Sequence, residues 1–131
     1  MDRAFPPGLL ITVVARNSET VTALREYLTG AGVATSGQSE VANLATAVPQ
    51  GCRVVIVFPD DFMFLAVAAE LASLQATRPS LLTVLVTNDP RRYEALPVRD
   101  DAFEPVVIPK PAWGWTILET VRARMNGDPL S

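Results

Sequence analysis

The most constraining feature of the sequence is a regular alternation of short apolar runs with segments of helical periodicity, which continues through most of the 131 residues. Five runs have the length and composition of buried strands: residues 9–14, 33–36, 53–58, 81–86 and 105–108. Each is followed by a helical pattern: residues 18–30, 39–48, 61–76, 89–96 and 112–125. Because β-α-β crossovers are right-handed and return to the same sheet, this order predicts an α/β fold with a parallel sheet and helices on both faces.

The length and composition favour one domain. A chain that is 49% hydrophobic and 19% charged can bury a substantial core and lies outside the disordered class. We expect residues 1–131 to form a single domain, with residues 1–7 as an N-terminal extension and 126–131 as a flexible tail. The formal net charge of −3 provides no basic field for a phosphate backbone, so nucleic acid is not an expected partner.

The residue inventory excludes several kinds of chemistry. The chain has one cysteine, Cys52, and no histidine, so it has no disulfide framework, no Cys-His zinc site and no Ser-His or Cys-His catalytic pair. A lone cysteine favours a reducing compartment, and the N-terminus lacks the pattern of a secretory signal. No apolar segment is long enough to span a bilayer. We therefore expect a cytoplasmic protein without a membrane contact.

In open parallel sheets, functional groups lie beyond the carboxyl ends of the strands. The third strand ends in Phe58 and Pro59 and is followed by Asp60 and Asp61. A structural interpretation of this acidic pair is that it caps the third helix, where negative charge favours exposed amide groups.

Four segments in order resemble the receiver domain of bacterial response regulators, and the similarity extends over essentially the whole chain. They are ARNSETVTALREYLTGAG (15–32), CRVVIVF (52–58), LTVLVT (82–87) and VVIPKP (106–111). The resemblance implies a three-layer flavodoxin-like (CheY-like) fold with five parallel strands in the order 2-1-3-4-5.

The same resemblance indicates a degenerate phosphorylation pocket. In the family, an aspartate ends the third strand and accepts the phosphoryl group, while two acidic residues after the first strand hold Mg²⁺. Phe58 stands at the position of the acceptor, and Ala15 and Arg16 stand at the positions of the acidic pair. A phenyl ring cannot form an acyl phosphate, and Mg²⁺ requires oxygen ligands. Thr87 and Lys110 match the family's hydroxyl and lysine.

These substitutions predict a pseudo-receiver that cannot be phosphorylated, is not an enzyme and needs no cofactor or Mg²⁺. Such a domain acts by contact with a protein partner or a second copy. Two alternatives remain open: an atypical receiver phosphorylated on Asp60 or Asp61, and a small flavin or nucleotide binder that uses RNSETVT (16–22). That loop has hydroxyl groups but no glycine for close approach to a phosphate.

Two structural interpretations apply to the retained pocket residues. Lys110 would pair with Asp60 or Asp61 as ordinary surface electrostatics, and Thr87 would cap the following turn. The family's switch also uses an aromatic residue in the fifth strand, where this chain has only aliphatic residues at 106–108.

Two segments are candidate interfaces. The predicted third helix, FMFLAVAAELASLQA (62–76), is apolar almost all round, which favours contact through Phe62 and Met63. The segment PAWGWTI (111–117) carries Trp113 and Trp115, and tryptophan is enriched in interface hot spots. We expect Trp115 to enter the core and Trp113 to remain partly exposed.

Overall fold

A computed structural model describes residues 9–125 as an open sheet of five parallel strands in the order β2-β1-β3-β4-β5. This confirms the predicted fold class and strand order. The strands are β1 Leu10–Val14, β2 Ala34–Gln38, β3 Val54–Val57, β4 Leu82–Thr87 and β5 Val106–Pro109. The helices are α1 Ser18–Gly30, α2 Leu44–Ala47, α3 Phe64–Thr77, α4 Pro90–Glu94 and α5 Gly114–Met125. The predicted N-terminal extension and flexible tail lie outside the described residues.

The side chains of the central strands alternate between two hydrophobic layers. In β3, Val54 and Ile56 pack into a cluster with residues of α1 and α5, while Val55 and Val57 pack into a cluster with residues of α2, α3 and α4. All four are fully buried, because a parallel strand in the middle of the sheet is covered on both faces. The helices therefore lie on both faces, as the sequence predicts.

Several element boundaries differ from the sequence prediction. The second strand runs to Gln38 and is only half-buried, because β2 is an edge strand with the polar sequence ATSGQ. The second helix is reduced to four residues and the fourth to five. The N-cap of α1 is Asn17, since its side chain accepts hydrogen bonds from the amides of Glu19 and Thr20.

The acidic pair after β3 does not cap the third helix, so that interpretation is wrong. Asp60 and Asp61 belong to a 3₁₀ turn, Pro59–Asp61, and α3 begins only at Phe64. The N-cap of α3 is Met63, which makes no side-chain capping hydrogen bond. Pro59 starts the turn and is buried, which fixes the direction in which the two aspartates leave the strand.

The exposed face of α3 is as apolar as the sequence indicates. Val67, Leu71 and Leu74 face the core, whereas the outward positions carry Leu65 and several alanines. Glu70 is one of its few polar residues, and its carboxylate accepts a hydrogen bond from the amide of Leu44 at the start of α2 at 3.0 Å. No helix within residues 9–125 is long and apolar enough to cross a membrane.

Candidate functional site

The carboxylate of Asp60 joins the ends of three strands. One of its oxygens accepts a hydrogen bond from the Thr87 hydroxyl at 2.5 Å, and the other accepts one from the Asn88 amide at 2.8 Å. The Lys110 ammonium lies 3.2 Å from that second oxygen. We refer to Asp60, Thr87 and Lys110 as the carboxylate cluster. It sits at the carboxyl edge of the sheet, where the topology places functional groups.

Local structure explains why these three side chains meet. β3 and β4 are neighbours, and so are β4 and β5, so the residues that end them lie side by side. The Lys110 amide donates to the Thr87 carbonyl at 3.0 Å, which ties the end of β5 to the end of β4. The 3₁₀ turn that starts at Pro59 carries Asp60 from the end of β3 toward these two neighbours.

The electrostatics of the carboxylate cluster favour an ionised Asp60. Partial burial by itself raises the pKa of Asp60, but the Thr87 hydroxyl, the Asn88 amide and the Lys110 ammonium outweigh it and hold the pKa below its ordinary value of 3.8. The ion pair is partly shielded, because the Asp60 side chain is 21% exposed and that of Lys110 is 29% exposed, although Asp60 as a whole residue lies at the surface. Both carboxylate oxygens are therefore engaged at neutral pH.

Thr87 has two partners at once. Its hydroxyl donates to Asp60 and accepts a hydrogen bond from the Asp89 amide at 3.0 Å. The turn-capping interpretation of Thr87 is therefore correct, and so is the pairing of Lys110 with Asp60. Neither interpretation predicted that the Asp60 carboxylate would contact both Thr87 and Lys110.

Phe58 does not share the space of the carboxylate cluster. Its side chain is half-buried against the α1–α5 core layer, on the same face of β3 as Val54 and Ile56. It lines a groove of about 340 Å³ between α1 and α5. The groove is lined by Thr20, Ala23, Leu24, Tyr27, Phe58, Ala112, Gly114 and Ile117. Phe58 thus contributes to packing on one face, and Asp60 enters the site from the turn beyond it.

Ala15 and Arg16, which stand where the receiver family has two acidic residues, contact residues outside the carboxylate cluster. Ala15 is buried and its amide donates to the Gln38 carbonyl at 3.1 Å. The Arg16 guanidinium lies 5.3 Å from the centre of the Phe62 ring and 3.8 Å from a carboxylate oxygen of Glu40, in a largely exposed pair. The structure therefore brings Thr87 and Lys110 together and leaves Ala15, Arg16 and Phe58 outside the cluster.

The carboxylate cluster offers few of the oxygen ligands that Mg²⁺ prefers. Magnesium needs several hard oxygen ligands, and the cluster supplies one carboxylate whose two oxygens are already engaged. Nowhere in residues 9–125 do three or more histidine, cysteine or acidic side chains form a group that could hold a metal ion. The loop RNSETVT offers little to a phosphate, because the Asn17 side chain already accepts hydrogen bonds from two amides at the start of α1.

An aromatic residue near the cluster was missed at the level of sequence. Tyr93 of α4 is buried, and its ring packs against that of Phe64 with centroids 5.3 Å apart and a tilt of 59°. Burial raises the pKa of Tyr93, and the negative charges of Asp60 and Asp89 raise it further, against a smaller opposing effect of Arg92. Only the helical pattern of residues 89–96 pointed to this position, without distinguishing a buried tyrosine from a surface one.

The candidate interface residues are mostly exposed. Met63 is 76% exposed and Trp113 is 67% exposed, while Phe62 is half-buried beside Arg16. Trp115 is 61% exposed, so the prediction that it enters the core is wrong. The buried positions of α5 are instead Ile117, Leu118 and Val121, and Trp115 in the first turn of the helix remains at the surface.

Comparison with known proteins yields matches in structure only. No family model matches the chain, and no curated protein matches it. The fold is similar to that of a response regulator receiver domain protein from Clostridium thermocellum, with a TM-score of 0.70 and 16% identity over 93% of this chain and 98% of that one. It is also similar to a CheY-like response regulator receiver domain protein from Methanospirillum hungatei JF-1, with a TM-score of 0.71 and 16% identity over 91% and 94% of the two chains. These likenesses establish the fold as a CheY-like, flavodoxin-type fold.

Proposed function

We propose that this chain is a pseudo-receiver that takes up no phosphoryl group and works as a protein–protein interaction or dimerisation module in bacterial signal transduction, in the cytoplasm. The observation that carries the proposal is the occupation of Thr87 and Lys110 by the carboxylate of Asp60. In the family it resembles, the corresponding hydroxyl and lysine contact the transferred phosphoryl group. Here the chain's own carboxylate is already bound to them.

Three features of the site argue against phosphoryl transfer. Phe58 supplies no nucleophile where the resemblance places one, and its ring faces the α1–α5 layer. Arg16 puts a positive charge where the resemblance places acidic ligands. Asp60 has both oxygens hydrogen-bonded or ion-paired and a lowered pKa, which reduces the nucleophilicity of the carboxylate. A site of this kind transmits information by contact and not by turnover.

Two groups of exposed apolar side chains support a contact role. Met63 and Leu65 lie at the start of α3, and Trp113 and Trp115 lie at the start of α5. Both helices follow strands of the same parallel sheet, so both start near its carboxyl edge, on the same side as the carboxylate cluster. Large exposed apolar side chains in clusters favour protein–protein interaction, and tryptophan favours it most.

Static light scattering over a range of protein concentrations tests whether the chain forms dimers. We expect the apparent mass to rise above that of a single chain, and Trp113→Asp or Met63→Asp to return it to the single-chain value. Val98→Asp is the matched control, because Val98 is also an exposed apolar residue but lies outside both groups. A single-chain mass at every concentration, or an equal effect of Val98→Asp, would contradict an interface at these residues.

One observation favours a second function, an atypical receiver phosphorylated on Asp60. Its carboxylate is 3.2 Å from Lys110, which could neutralise charge during attack on a phosphoryl donor. Asp61 of the same turn is exposed and is the other carboxylate considered for this role. Phosphoryl incorporation that depends on Mg²⁺ and disappears in Asp60→Asn would identify this second function and exclude the first.

A further inference from the structure

A second cavity lies at the opposite edge of the sheet, where the strands begin. It has a volume of about 190 Å³ and is lined by Arg53, Ser80, Leu82, Phe103, Arg124 and Met125. Arg53 immediately precedes β3, Leu82 begins β4, and Arg124 and Met125 end α5. The cavity is therefore separated from the carboxylate cluster by the length of the strands.

The backbone around this cavity is fixed by hydrogen bonds. The Arg53 amide donates to the Leu10 carbonyl at 3.1 Å, and its carbonyl accepts from the Leu82 amide at 3.0 Å, so Arg53 is held between β1 and β4. The Phe103 amide donates to the Pro79 carbonyl at 3.4 Å, which places the loop before β5 against the turn before β4. Two walls of the cavity are therefore held in place, which is typical of the largely preformed sites that ligands occupy.

The charge of the cavity selects for an anion. Arg53 and Arg124 both line it, and neither has a carboxylate of residues 9–125 within ion-pair distance. Ser80 adds a hydroxyl group to the same lining. Guanidinium groups present several donors in a plane and bind carboxylates with two parallel hydrogen bonds. The position of Arg124 in the last turn of α5 also suits the helix dipole, but Arg53 has no such structural role.

The other described residues that line the cavity are apolar and set the size of the ligand. Leu82 is buried, Met125 packs against the core, and Phe103 is a large aromatic side chain that is 55% exposed. A dry apolar cavity of about 150 Å³ is enough to hold benzene. A cavity of 190 Å³ therefore has room for one ring with a small substituent. Methionine sulfur and a phenyl group are both favourable neighbours for such a ring.

We propose that this cavity binds a small organic acid in which a carboxylate is attached to one aromatic ring, with the carboxylate on Arg53 and Arg124 and the ring against Leu82, Phe103 and Met125. The proposal does not depend on the function of the carboxylate cluster, which lies at the other edge. It assigns a ligand site to an edge of the sheet that the receiver resemblance leaves without a role.

Benzoate is the probe for this site, and benzyl alcohol is its uncharged counterpart. In an NMR titration of the full chain we expect benzoate to shift the amide signals of Leu82 and Phe103 in a saturable manner. Benzyl alcohol lacks the charge-assisted hydrogen bonds, so we expect it to bind about tenfold more weakly or worse. The double variant R53Q/R124Q should bind benzoate more weakly than the parent protein by a similar factor.

The matched control is R91Q/R92Q, which removes the same number of positive charges from exposed positions of α4. It should bind benzoate as the parent does, which separates the site from the effect of net charge. Thermal unfolding of both double variants checks that each is folded. Absence of saturable shifts at Leu82 and Phe103, or an equal loss of benzoate affinity in both double variants, would overturn the proposal.

Discussion

Asp60 and Thr87, which are 27 residues apart in the chain, form a 2.5 Å hydrogen bond that links the turn after β3 to the last residue of β4. Thr87 is fully buried as a residue, whereas Asp60 reaches it from the surface. This bond and the Lys110 ion pair connect the ends of β3, β4 and β5 at the carboxyl edge of the sheet.

The first prediction concerns the pKa of Asp60, which we expect to lie below 3.8 in the parent protein. Lys110→Met removes the ammonium and its charge but keeps a side chain of similar length, so the pKa of Asp60 should rise. Thr87→Val removes the hydroxyl and should raise it as well. A pH titration of the Asp60 carboxyl carbon by NMR measures these changes. An Asp60 pKa that is the same in all three proteins would show that the cluster does not form in solution.

The second prediction concerns the pH dependence of stability. A carboxyl group whose pKa is lowered by folding stabilises the folded state above its unfolded pKa and loses that contribution as the pH falls through the folded pKa. Asp60→Asn should therefore cost about 1 kcal/mol near neutral pH, a value reduced by the partial exposure of the site. The difference between parent and variant should shrink as the pH falls below 3.8. Urea unfolding at a series of pH values provides the measurement.

Asp61→Asn is the control for that experiment, because Asp61 is exposed and lies in the same 3₁₀ turn. Its effect on the free energy of unfolding should be small, because the side chain lies in solvent. If Asp61→Asn reproduced the pH dependence of Asp60→Asn, the assignment of the effect to the Asp60 contacts would be wrong.

The third prediction concerns the packing of α1 against β2 at Gly37. A Cβ atom added at Gly37 would lie 2.7 Å from Cγ1 of Val21, closer than real Cβ contacts allow. Because valine is stiff, Gly37→Ala should destabilise the fold by about 1–3 kcal/mol, measured by urea or thermal unfolding. Gly51→Ala has open space around the added atom and serves as the control. Equal stability of the two variants would contradict the close approach.

The sequence predicted the central strands well because β3 is an uninterrupted apolar run and β4 is a mostly apolar one, and residues buried on both faces leave that signal. The edge strand β2 was placed less accurately, since its polar sequence lacks the same pattern. The strand order came from the receiver resemblance and could not be read from periodicity. Trp115 was misplaced because helical spacing alone does not fix which face of α5 meets the sheet.

The geometry of the candidate site was predicted in part: the sequence indicated the Lys110–Asp60 pair and the Thr87 turn cap, but not the Asp60–Thr87 hydrogen bond. Strand ends identified Thr87 and Lys110, and the turn sequence identified Asp60. The capping interpretation of Asp60 failed because Pro59 starts a 3₁₀ turn that delays α3 until Phe64. The direction in which a short turn carries a side chain depends on tertiary packing, which local sequence does not specify.

The central claim is that the carboxylate cluster accepts no phosphoryl group, and the mass of the intact protein after incubation with acetyl phosphate and Mg²⁺ tests it most directly. A receiver domain that retains its acidic pair and acceptor aspartate, treated in parallel, shows that the donor is active. We predict an unchanged mass for this chain. A phosphate adduct that is present in the parent and Asp61→Asn proteins but absent from Asp60→Asn would contradict the account.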